Sequence, residues 1–369
     1  MIDHDLNALN EWSEKWLMSF NPDKTEIMCF SNTDIPVMNF NFNGIRIPIS
    51  SSHKHLGVTF SSDAKWNLHV DNIMSSVSKH LNVLRKLKYK LNRSNLEKLY
   101  LVYIRPIFEY ACDVWDNCGD GNSTKLEQLQ LEAARIITGL PIFTNRNMIY
   151  EEIGWETLSE RRSRRKLQMF YNIQNQNAPP YLCNLIPPNV QSTTIYPLRN
   201  GEDIIIPYCR LSLTNSSFIP ATIRQWNNLD LSIRGAGTIS AFKNELKKKS
   251  NYNKFVPKHF YFGPRKMNIL LTQFRRSATF LNYDLWRFNI ILDPSCCGAQ
   301  QEDSTHFFFD CPIYNALRDI LINELNWLPV ELNLNLKLLT SGDKSLTNEQ
   351  NEEIFKTVFD YIKNTKRFL

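Results

Sequence analysis

The chain has 369 residues, of which 43% are hydrophobic and 22% are charged, so it can bury a sizeable core in two or three domains. Its 12 glycines and 17 prolines are too few for a disordered or low-complexity chain. No apolar run reaches the roughly 18 residues that a membrane span needs, and the N-terminus does not resemble a secretory signal. We therefore expect a nuclear or cytoplasmic protein that is not secreted and makes no membrane contact.

Basic charge is concentrated in the middle of the chain. Residues 1–60 hold 4 basic and 7 acidic residues, residues 61–279 hold 31 and 17, and residues 280–369 hold 8 and 13. This distribution is expected of a segment that follows a phosphate backbone. A solvated surface with a local excess of lysine would give the same counts, so charge alone leaves both interpretations open.

The N-terminal segment is predicted to combine one helix with short strands. Apolar side chains recur at helical spacing at Leu6, Leu9, Trp12 and Trp16. Asp3 and Asp5 suit the start of this helix, and Asn21 with Pro22 should end it. Extended runs follow at Glu26–Phe30, Pro36–Phe42, Ile45–Ile49 and Leu56–Phe60. Asn43-Gly44 predicts a tight hairpin between the second and third runs.

A helical block is predicted next. One helix is indicated by an apolar stripe at Ile73, Val77, Leu81, Leu84 and Leu87. A second helix should begin at a capping box formed by Ser94 and Glu97 and kink at Pro106. A third should begin at a box formed by Thr124 and Glu127 and end at Gly139.

The rest of the chain is predicted to be helical around an irregular linker. The first helix carries a basic cluster at Arg161, Arg162, Arg164, Arg165 and Lys166. Residues 179–215 are rich in proline and polar residues and predict a linker with short strands. Further helices are predicted at about 216–249, ending in Lys247–Lys249, and at 267–290, 313–326 and 349–365. The fold class is therefore mainly α with a small β element.

A cluster of cysteine and histidine residues near the C-terminus predicts a zinc site. His306 and Cys311 have the spacing of a zinc knuckle, and the candidate ligands are Cys296, Cys297, His306 and Cys311. Adjacent cysteine side chains point apart unless the loop bends sharply, so Asp303, water or nothing are alternatives for the fourth ligand. Cysteines that merely pack are the alternative to a metal site. Phe307–Phe309 could stack on bases, although a small core is the simpler interpretation.

Several short motifs occur in a specific order. The N-terminal part contains Leu6-x-x-Leu9-x-x-Trp12-x-x-x-Trp16-x-Met18-x-Phe20-Asn21-x-x-Lys24-Thr25 and His55-Leu56-Gly57-Val58-x-Phe60. The middle contains Ile104-x-Pro106-x-x-x-Tyr110, Leu126-Glu127-x-Leu129-Gln130-x-x-Ala133-x-Arg135 and Trp226-Asn227-x-Leu229. The end contains Cys297-Gly298-x-x-x-Glu302-Asp303-x-x-His306 and Cys311-Pro312. Together they resemble the C-terminal part of the reverse transcriptases of LINE-type (non-LTR), Jockey-like retrotransposons.

This resemblance implies five segments. They are a palm remnant with a primer-grip-like hairpin (1–62), a helical thumb (63–150), a basic connecting region (151–255), a C-terminal region with the Cys/His knuckle (256–330) and a helical tail (331–369). Lys24 matches a family lysine near the phosphates of the incoming nucleotide, with an ordinary surface lysine as the alternative. Leu56, Gly57 and Val58 match the primer grip, with a simple strand as the alternative.

The resemblance also implies a function and its limits. No Asp-Asp dipeptide occurs in the sequence, and we expect this catalytic motif to lie upstream of the position that matches Asp3. Mg²⁺ would then serve only the intact parent polymerase, and this chain would bind RNA and DNA, as template and primer, without copying them. A host-used or inert RNA- and zinc-binding protein derived from such an element is the alternative. The candidate nucleic-acid contacts are Lys86, Lys88, Arg135, Arg161, Arg162, Arg164, Arg165, Lys166, Lys247 and Lys248.

Overall fold

The computed structural model describes residues 2–21, 24–31, 39–42, 44–248 and 255–368. The described part is mainly helical, and its strands form two separate two-stranded antiparallel sheets. The predicted fold class, mainly α with a small β element, is therefore confirmed. No helix in these ranges is both long and apolar enough to cross a membrane.

The N-terminal segment contains one helix and two hairpins. Its elements are α1 (Ile2–Lys15), β1 (Phe40–Phe42), β2 (Ile45–Ile47), β3 (Ser52–His55) and β4 (Val58–Ser61). Phe42 lies opposite Ile45 across the first hairpin, which confirms that prediction. Gly44 in its turn has the positive φ (74°) that such a turn needs, whereas Asn43 lies outside the described residues.

Three details of this segment differ from the prediction. Glu26–Phe30 forms no strand, and only Ile27 bridges Ile49 there. Leu56 and Gly57 form the turn between β3 and β4 instead of opening a strand, because both have positive φ (46° and 84°). The first helix ends at Lys15, before the predicted stop. Pro22 and residues 36–38, which belong to the other expectations for this segment, lie outside the described residues.

Helices α2 to α7 form one block around the largest core. They are α2 (Asn67–Leu87), α3 (Arg93–Leu99), α4 (Arg105–Glu109), α5 (Cys112–Trp115), α6 (Asp120–Thr138) and α7 (Arg146–Ile153). The predicted stripe of α2 is buried in this core together with Phe108 and Trp115, except for Leu87 at its end, which is half-buried. Tyr100–Ile104 winds as a π-helix between α3 and α4, just before Pro106, whose missing amide N–H interrupts the regular ladder.

Both capping boxes predicted in this block are wrong. Helix α3 begins after Asn92, whose side chain accepts a 2.9 Å bond from the amide of Asn95. Helix α6 begins at Asp120, and Glu127 is instead buried, where it accepts a 2.9 Å bond from the amide of Leu158. The predicted end of α6 at Gly139 is confirmed by its φ of 77°.

The basic helix α8 (Leu158–Gln174) contributes side chains to a second core. This helix begins at a capping box formed by Thr157 and Glu160. The later elements are α9 (Pro180–Cys183), α10 (Ser212–Ser216), α11 (Phe218–Asn227), α12 (Leu231–Arg234) and α13 (Ile239–Lys248). Residues 179–215 are largely irregular, as predicted, with one isolated bridge where short strands were expected. Lys249 lies outside the described residues.

A third core fills the C-terminal part. It is surrounded by α14 (Arg265–Arg275), α15 (Asn282–Arg287), α16 (Asn315–Glu324), α17 (Leu336–Ser341) and α18 (Asn348–Thr365). Phe274, Phe308 and Tyr361 lie at its centre, with the ring centroids of Phe274 and Phe308 5.0 Å apart. This core includes residues on both sides of the expected division at residue 330, and the five-segment division stays a prediction.

Candidate nucleic-acid interface and metal centre

The tip of the β3–β4 hairpin lies against the ring of Tyr110, at the end of α4. The hydroxyl of Tyr110 donates a 2.7 Å bond to the carbonyl oxygen of Leu56. Gly57 has a φ of 84°, and a Cβ atom there would lie 3.1 Å from Tyr110 Cε1. Any side chain at this position would therefore crowd the ring. Of the predicted primer-grip residues, Leu56 and Gly57 form an exposed tip fixed to the helical block, and Val58 is buried.

A groove of about 750 Å³ runs beside this tip, between the hairpin and helices α2 and α4. It is lined by Lys54, Gly57, Thr59, His69, Asn72, Ile73, Ser75, Ser76, Lys79, Pro106, Ile107 and Tyr110. Lys54 and Lys79 are exposed, and no described residue that lines the groove is acidic. Two cations and several neutral polar groups therefore face, beside the apolar Ile73, Pro106 and Ile107, a space that an anionic strand can enter.

The wall of the groove contains a neutral histidine. The amide of Thr59 donates a 3.3 Å bond to His69 Nδ1, which places the ring proton on Nε2. Burial lowers the pKa of His69, and the nearby charge of Lys54 lowers it further. Asn72 Nδ2 donates a 3.1 Å bond to Thr59 Oγ1 and so links α2 to β4. The positive charge of the groove therefore comes from its two lysines.

Other predicted contact residues lie outside this groove. Lys24 is exposed, and its amide donates a 3.2 Å bond to the carbonyl oxygen of Asn21. Lys86 is exposed near the end of α2, Lys88 is half-buried just beyond it, and Arg135 is half-buried on α6. On α13, both predicted lysines are exposed, and one of them, Lys248, pairs with a glutamate of its own helix at 2.6 Å.

The basic residues of α8 all face carboxylates. The pairs are Arg161 with Glu109 and Glu156, Arg162 and Lys166 with Asp116, Arg164 with Glu156, and Arg165 with Asp113. Arg162 and Lys166 are buried, whereas the side chain of Arg165 is 48% exposed. The positive charge that the sequence places on this helix is thus largely balanced inside the fold.

The adjacent cysteines lie in a tight turn. The amide of Ala299 donates a 2.7 Å bond to the carbonyl oxygen of Cys296, and the two residues form an isolated bridge. Between them, Cys297 and Gly298 have φ values of 45° and 83°, as in a type I′ turn. This is the sharp bend that two neighbouring cysteines need if both are to reach one point.

Four candidate ligands converge at this turn. Cys297 Sγ lies 3.2 Å from His306 Nε2 and 3.7 Å from Cys311 Sγ, and the ligand atoms of these three residues and Cys296 all lie within 4.8 Å of one another. Three thiols and an imidazole can hold a metal ion. The alternative ligand Asp303 does not belong to this group; its carboxylate accepts a 2.7 Å bond from the amide of His306.

Burial raises the pKa of two of the thiols, Cys296 and Cys311. The pKa of Cys296 rises to about 12, and the charge of Glu302 contributes. Thiolate is the form that binds a metal, so metal binding must displace these protons.

The segment that carries His306 and Cys311 is anchored by the third core. Phe307 and Phe308 are fully buried, which supports the core interpretation of this aromatic run over stacking on bases. The hydroxyl of Tyr361 donates a 2.8 Å bond to the carbonyl oxygen of Phe307. The guanidinium of Arg318 donates to the carbonyl oxygens of Phe308 (3.0 Å) and Cys311 (2.7 Å).

Sequence reasoning missed four residues of the groove: Lys54, His69, Lys79 and Tyr110. Tyr110 stands in one of the motifs that carry the resemblance, but no role was assigned to it. Both lysines were counted only in the overall charge. Their joint position depends on the contact of the hairpin with the helical block, which no local pattern predicts.

Curated proteins similar to this chain are polymerases of Drosophila mobile elements. The chain is 26% identical over 156 residues to the probable RNA-directed DNA polymerase from transposon X-element of Drosophila melanogaster. This match covers 40% of this chain and 17% of that protein. It is 25% identical over 167 residues to the probable RNA-directed DNA polymerase from transposon BS of the same species. This match covers 43% of this chain and 18% of that protein. It is 27% identical over 139 residues to the RNA-directed DNA polymerase from mobile element jockey of Drosophila funebris. This match covers 37% of this chain and 15% of that protein.

These matches are partial in both directions. The matched part spans less than a fifth of each relative's length. No protein family profile matches the chain. The predicted resemblance to the reverse transcriptases of Jockey-like, non-LTR retrotransposons is therefore confirmed over about 40% of the chain.

Proposed function

We propose that this chain is the post-catalytic part of a retrotransposon RNA-directed DNA polymerase and that it holds the primer–template duplex. The observation that carries the proposal is the groove beside the hairpin tip, which is lined by the exposed Lys54 and Lys79 and by no acidic residue among those that the structure describes. The names of the relatives, all RNA-directed DNA polymerases, supply the class of ligand. The five segments defined from the resemblance are part of this proposal.

The groove suits the backbone of a nucleic acid better than its bases. Lysine is a flexible point charge that attracts phosphate without reading sequence. Gly57 keeps the hairpin tip narrow, so that a strand can approach its backbone, as expected of a primer grip. In this proposal Leu56 and Val58 support the tip, and Lys24 lies on the side of the incoming nucleotide.

The chain by itself is expected to bind without polymerising. Nucleotidyl transfer requires carboxylates that hold two metal ions about 4 Å apart. The Asp-Asp motif that supplies them in this family does not occur in the sequence. Mg²⁺ therefore belongs to the proposed function of the intact polymerase. With pure protein, primer extension in Mg²⁺ or Mn²⁺ should stay at background, and templated, metal-dependent extension would overturn this part.

We infer that the cluster of Cys296, Cys297, His306 and Cys311 holds Zn²⁺. When bound, the ion would cross-link the turn at residues 296–299 to the segment at 306–311 and would take no part in catalysis. The two segments already meet through the described contacts, so the ion would fix an arrangement that the fold prepares. RNA or DNA is the expected partner of this region.

The binding proposal is tested by titrating a labelled RNA–DNA hybrid with purified protein. The double variant Lys54→Gln/Lys79→Gln should weaken hybrid binding about fivefold or more, because two contacts with phosphate are lost. The control Lys337→Gln/Lys344→Gln makes the same change in net charge at exposed positions far along the chain. Equal losses in the two variants would contradict the proposal.

The alternative is a host-used or inert RNA- and zinc-binding protein with no role in reverse transcription. It predicts that Lys54→Gln/Lys79→Gln binds the hybrid as tightly as the wild type does, because the groove lysines then play no part in binding. The same titration therefore separates the two proposals.

A further inference from the structure

A second groove lies on another side of the helical block, where α6 and the end of α2 meet α14. It consists of two adjoining cavities of about 690 and 520 Å³. The two cavities share Tyr89, Arg265, Ile269, Gln273 and Phe280 as lining residues. They therefore form one continuous channel on the surface.

This groove carries uncompensated positive charge. Arg135 is half-buried in its wall, and within the described ranges its Nε atom has no hydrogen-bond partner and its guanidinium no ion pair. Lys88 and Lys266 line the same channel. Its one acidic lining residue in the described part, Glu132, is already paired with an arginine of α2. Holding an unpaired guanidinium partly out of water is costly, and an anionic ligand would offset that cost.

Exposed aromatic rings border the charged wall. Tyr89 is 73% exposed and Phe280 is 48% exposed. The ammonium of Lys88 lies 4.6 Å from the centre of the Tyr89 ring. Aromatic rings interleaved with cations are typical of surfaces on which the bases of a single strand stack while its phosphates are neutralised.

The floor of the channel is prearranged. Arg265 donates to the carbonyl oxygens of Lys88 (3.0 Å), just beyond α2, and Ile136 (2.6 Å), in the last turn of α6. Gly139 permits α14 to approach closely, since a Cβ atom there would clash with the side chain of Ile269. A ligand would therefore meet a groove whose shape does not have to form on binding.

One end of the channel lies near the loop that connects the candidate metal ligands Cys297 and His306. Arg367 lines this end and donates to the carbonyl oxygen of Phe280 at 3.2 Å. It also binds both carboxylate oxygens of Glu302, at 2.9 and 2.8 Å. Glu302 belongs to the loop between Cys297 and His306, so a strand in the channel would pass from the helical block towards this loop.

We propose that this channel binds a single-stranded segment of RNA or DNA that continues beyond the duplex, with one base stacked on Tyr89 and a phosphate on Arg135. The inference rests on the proposed function and adds a second site with a different ligand. The unpaired arginine beside exposed rings favours a single strand over a peptide, which would supply few negative charges at regular spacing.

The test compares a blunt RNA–DNA hybrid, the same hybrid with a single-stranded extension, and a single-stranded RNA. Tyr89→Ala and Arg135→Gln should each weaken binding of the single-stranded RNA, and of the extended hybrid, about fivefold or more, as expected for one lost stacking or phosphate contact. Arg135→Lys should retain more affinity than Arg135→Gln. Affinity for the blunt hybrid should not change.

Matched controls are Lys125→Gln, on α6 about 15 Å from Arg135 along the helix axis, and Tyr181→Ala, an exposed tyrosine on α9. Circular dichroism of each variant checks folding, and photocrosslinking of a bromouridine-containing RNA should label Tyr89 or Phe280 in the wild type.

Unchanged single-strand affinity in Tyr89→Ala and Arg135→Gln, as a peptide site would give, or equal losses in the controls, would overturn the inference. Failure of the wild type to bind the blunt hybrid would instead count against the proposed function alone.

Discussion

Arg275 Nη1 of α14 donates a 2.6 Å bond to Glu152 Oε1 of α7 and thereby ties the C-terminal part to the helical block. The carboxylate is fully buried and also accepts bonds from Arg93 (2.7 Å) and Arg276 (2.9 Å). Burial alone would raise the pKa of Glu152, but the charges of Arg275, Arg93 and Arg276 lower it to about 2. These ion pairs therefore hold α14, which shares a core with the segment of His306 and Cys311, against the helical block that lines the proposed duplex groove.

Replacing Glu152 with alanine should destabilise the protein strongly. The change leaves buried arginines without their counter-charge, and the loss in the free energy of unfolding should be about 3–5 kcal/mol. The neighbouring exposed Glu151, 2.9 Å from Arg276, is the control, and Glu151→Ala should cost less than about 1 kcal/mol. Chemical denaturation measures both values. Similar losses of stability for Glu152→Ala and Glu151→Ala would mean that the buried ion pairs of Glu152 do not join the C-terminal part to the helical block.

Acid should remove the contribution of Glu152 in a defined range of pH. The pKa of Glu152 is lowered in the fold from an ordinary 4.5 to about 2. A lowered pKa means that its stabilisation is complete above the unfolded value of 4.5 and is lost as the pH falls towards 2. The difference in unfolding free energy between the wild type and Glu152→Gln should therefore shrink across this range. A difference that does not depend on pH would disprove the role of the charge.

Substitution of Gly57 should impair hybrid binding by displacing the hairpin tip. Both Gly57→Ala and Gly44→Ala place a side chain at positive φ, which costs about 1–2 kcal/mol. Only the first crowds a neighbour, because nothing lies within 4 Å of a Cβ atom at Gly44. Gly57→Ala should thus lose affinity for the RNA–DNA hybrid while Gly44→Ala retains it. Equal affinities would show that the tip does not contribute to binding.

The cluster of Cys296, Cys297, His306 and Cys311 should bind Co²⁺ as a spectroscopic substitute for Zn²⁺. Thiolate ligands should give charge-transfer absorption, which His306→Ala and Cys296→Ser should each weaken or abolish. Cys183→Ser is the control, since Cys183 is a buried cysteine outside the cluster. An unchanged spectrum in Cys296→Ser would exclude this cysteine and leave three protein ligands. No absorption in the wild type would refute the metal site.

Local sequence patterns predicted those features that local geometry decides. The hairpin turn at Gly44, the stripe of α2 and the end of α6 at Gly139 all depend on residues close together in the chain. The capping boxes failed because better caps or tertiary contacts compete for the same side chains. Glu127, for example, is drawn into the core by the amide of Leu158.

Long-range pairing explains most of what the sequence could not predict. The partners of the basic helix α8 lie up to 52 residues earlier in the chain, so its run of arginines looked free. The sharp bend that lets Cys296 and Cys297 reach one point could be stated only as a condition of the predicted zinc site, because the positive φ of Cys297 is not encoded by its residue type. The proposed duplex groove likewise forms only when β3–β4 docks against α2 and α4.

The dependence of hybrid binding on salt tests the central claim most directly. If phosphate contacts in the duplex groove dominate, log K should lose roughly 0.7–0.9 per contact for each log unit of salt. Lys54→Gln/Lys79→Gln should then flatten the slope by roughly 1.4–1.8, whereas Lys337→Gln/Lys344→Gln should leave it nearly unchanged. Salt-independent binding, or equal slopes in the two double variants, would contradict an electrostatic grip on the duplex at this groove.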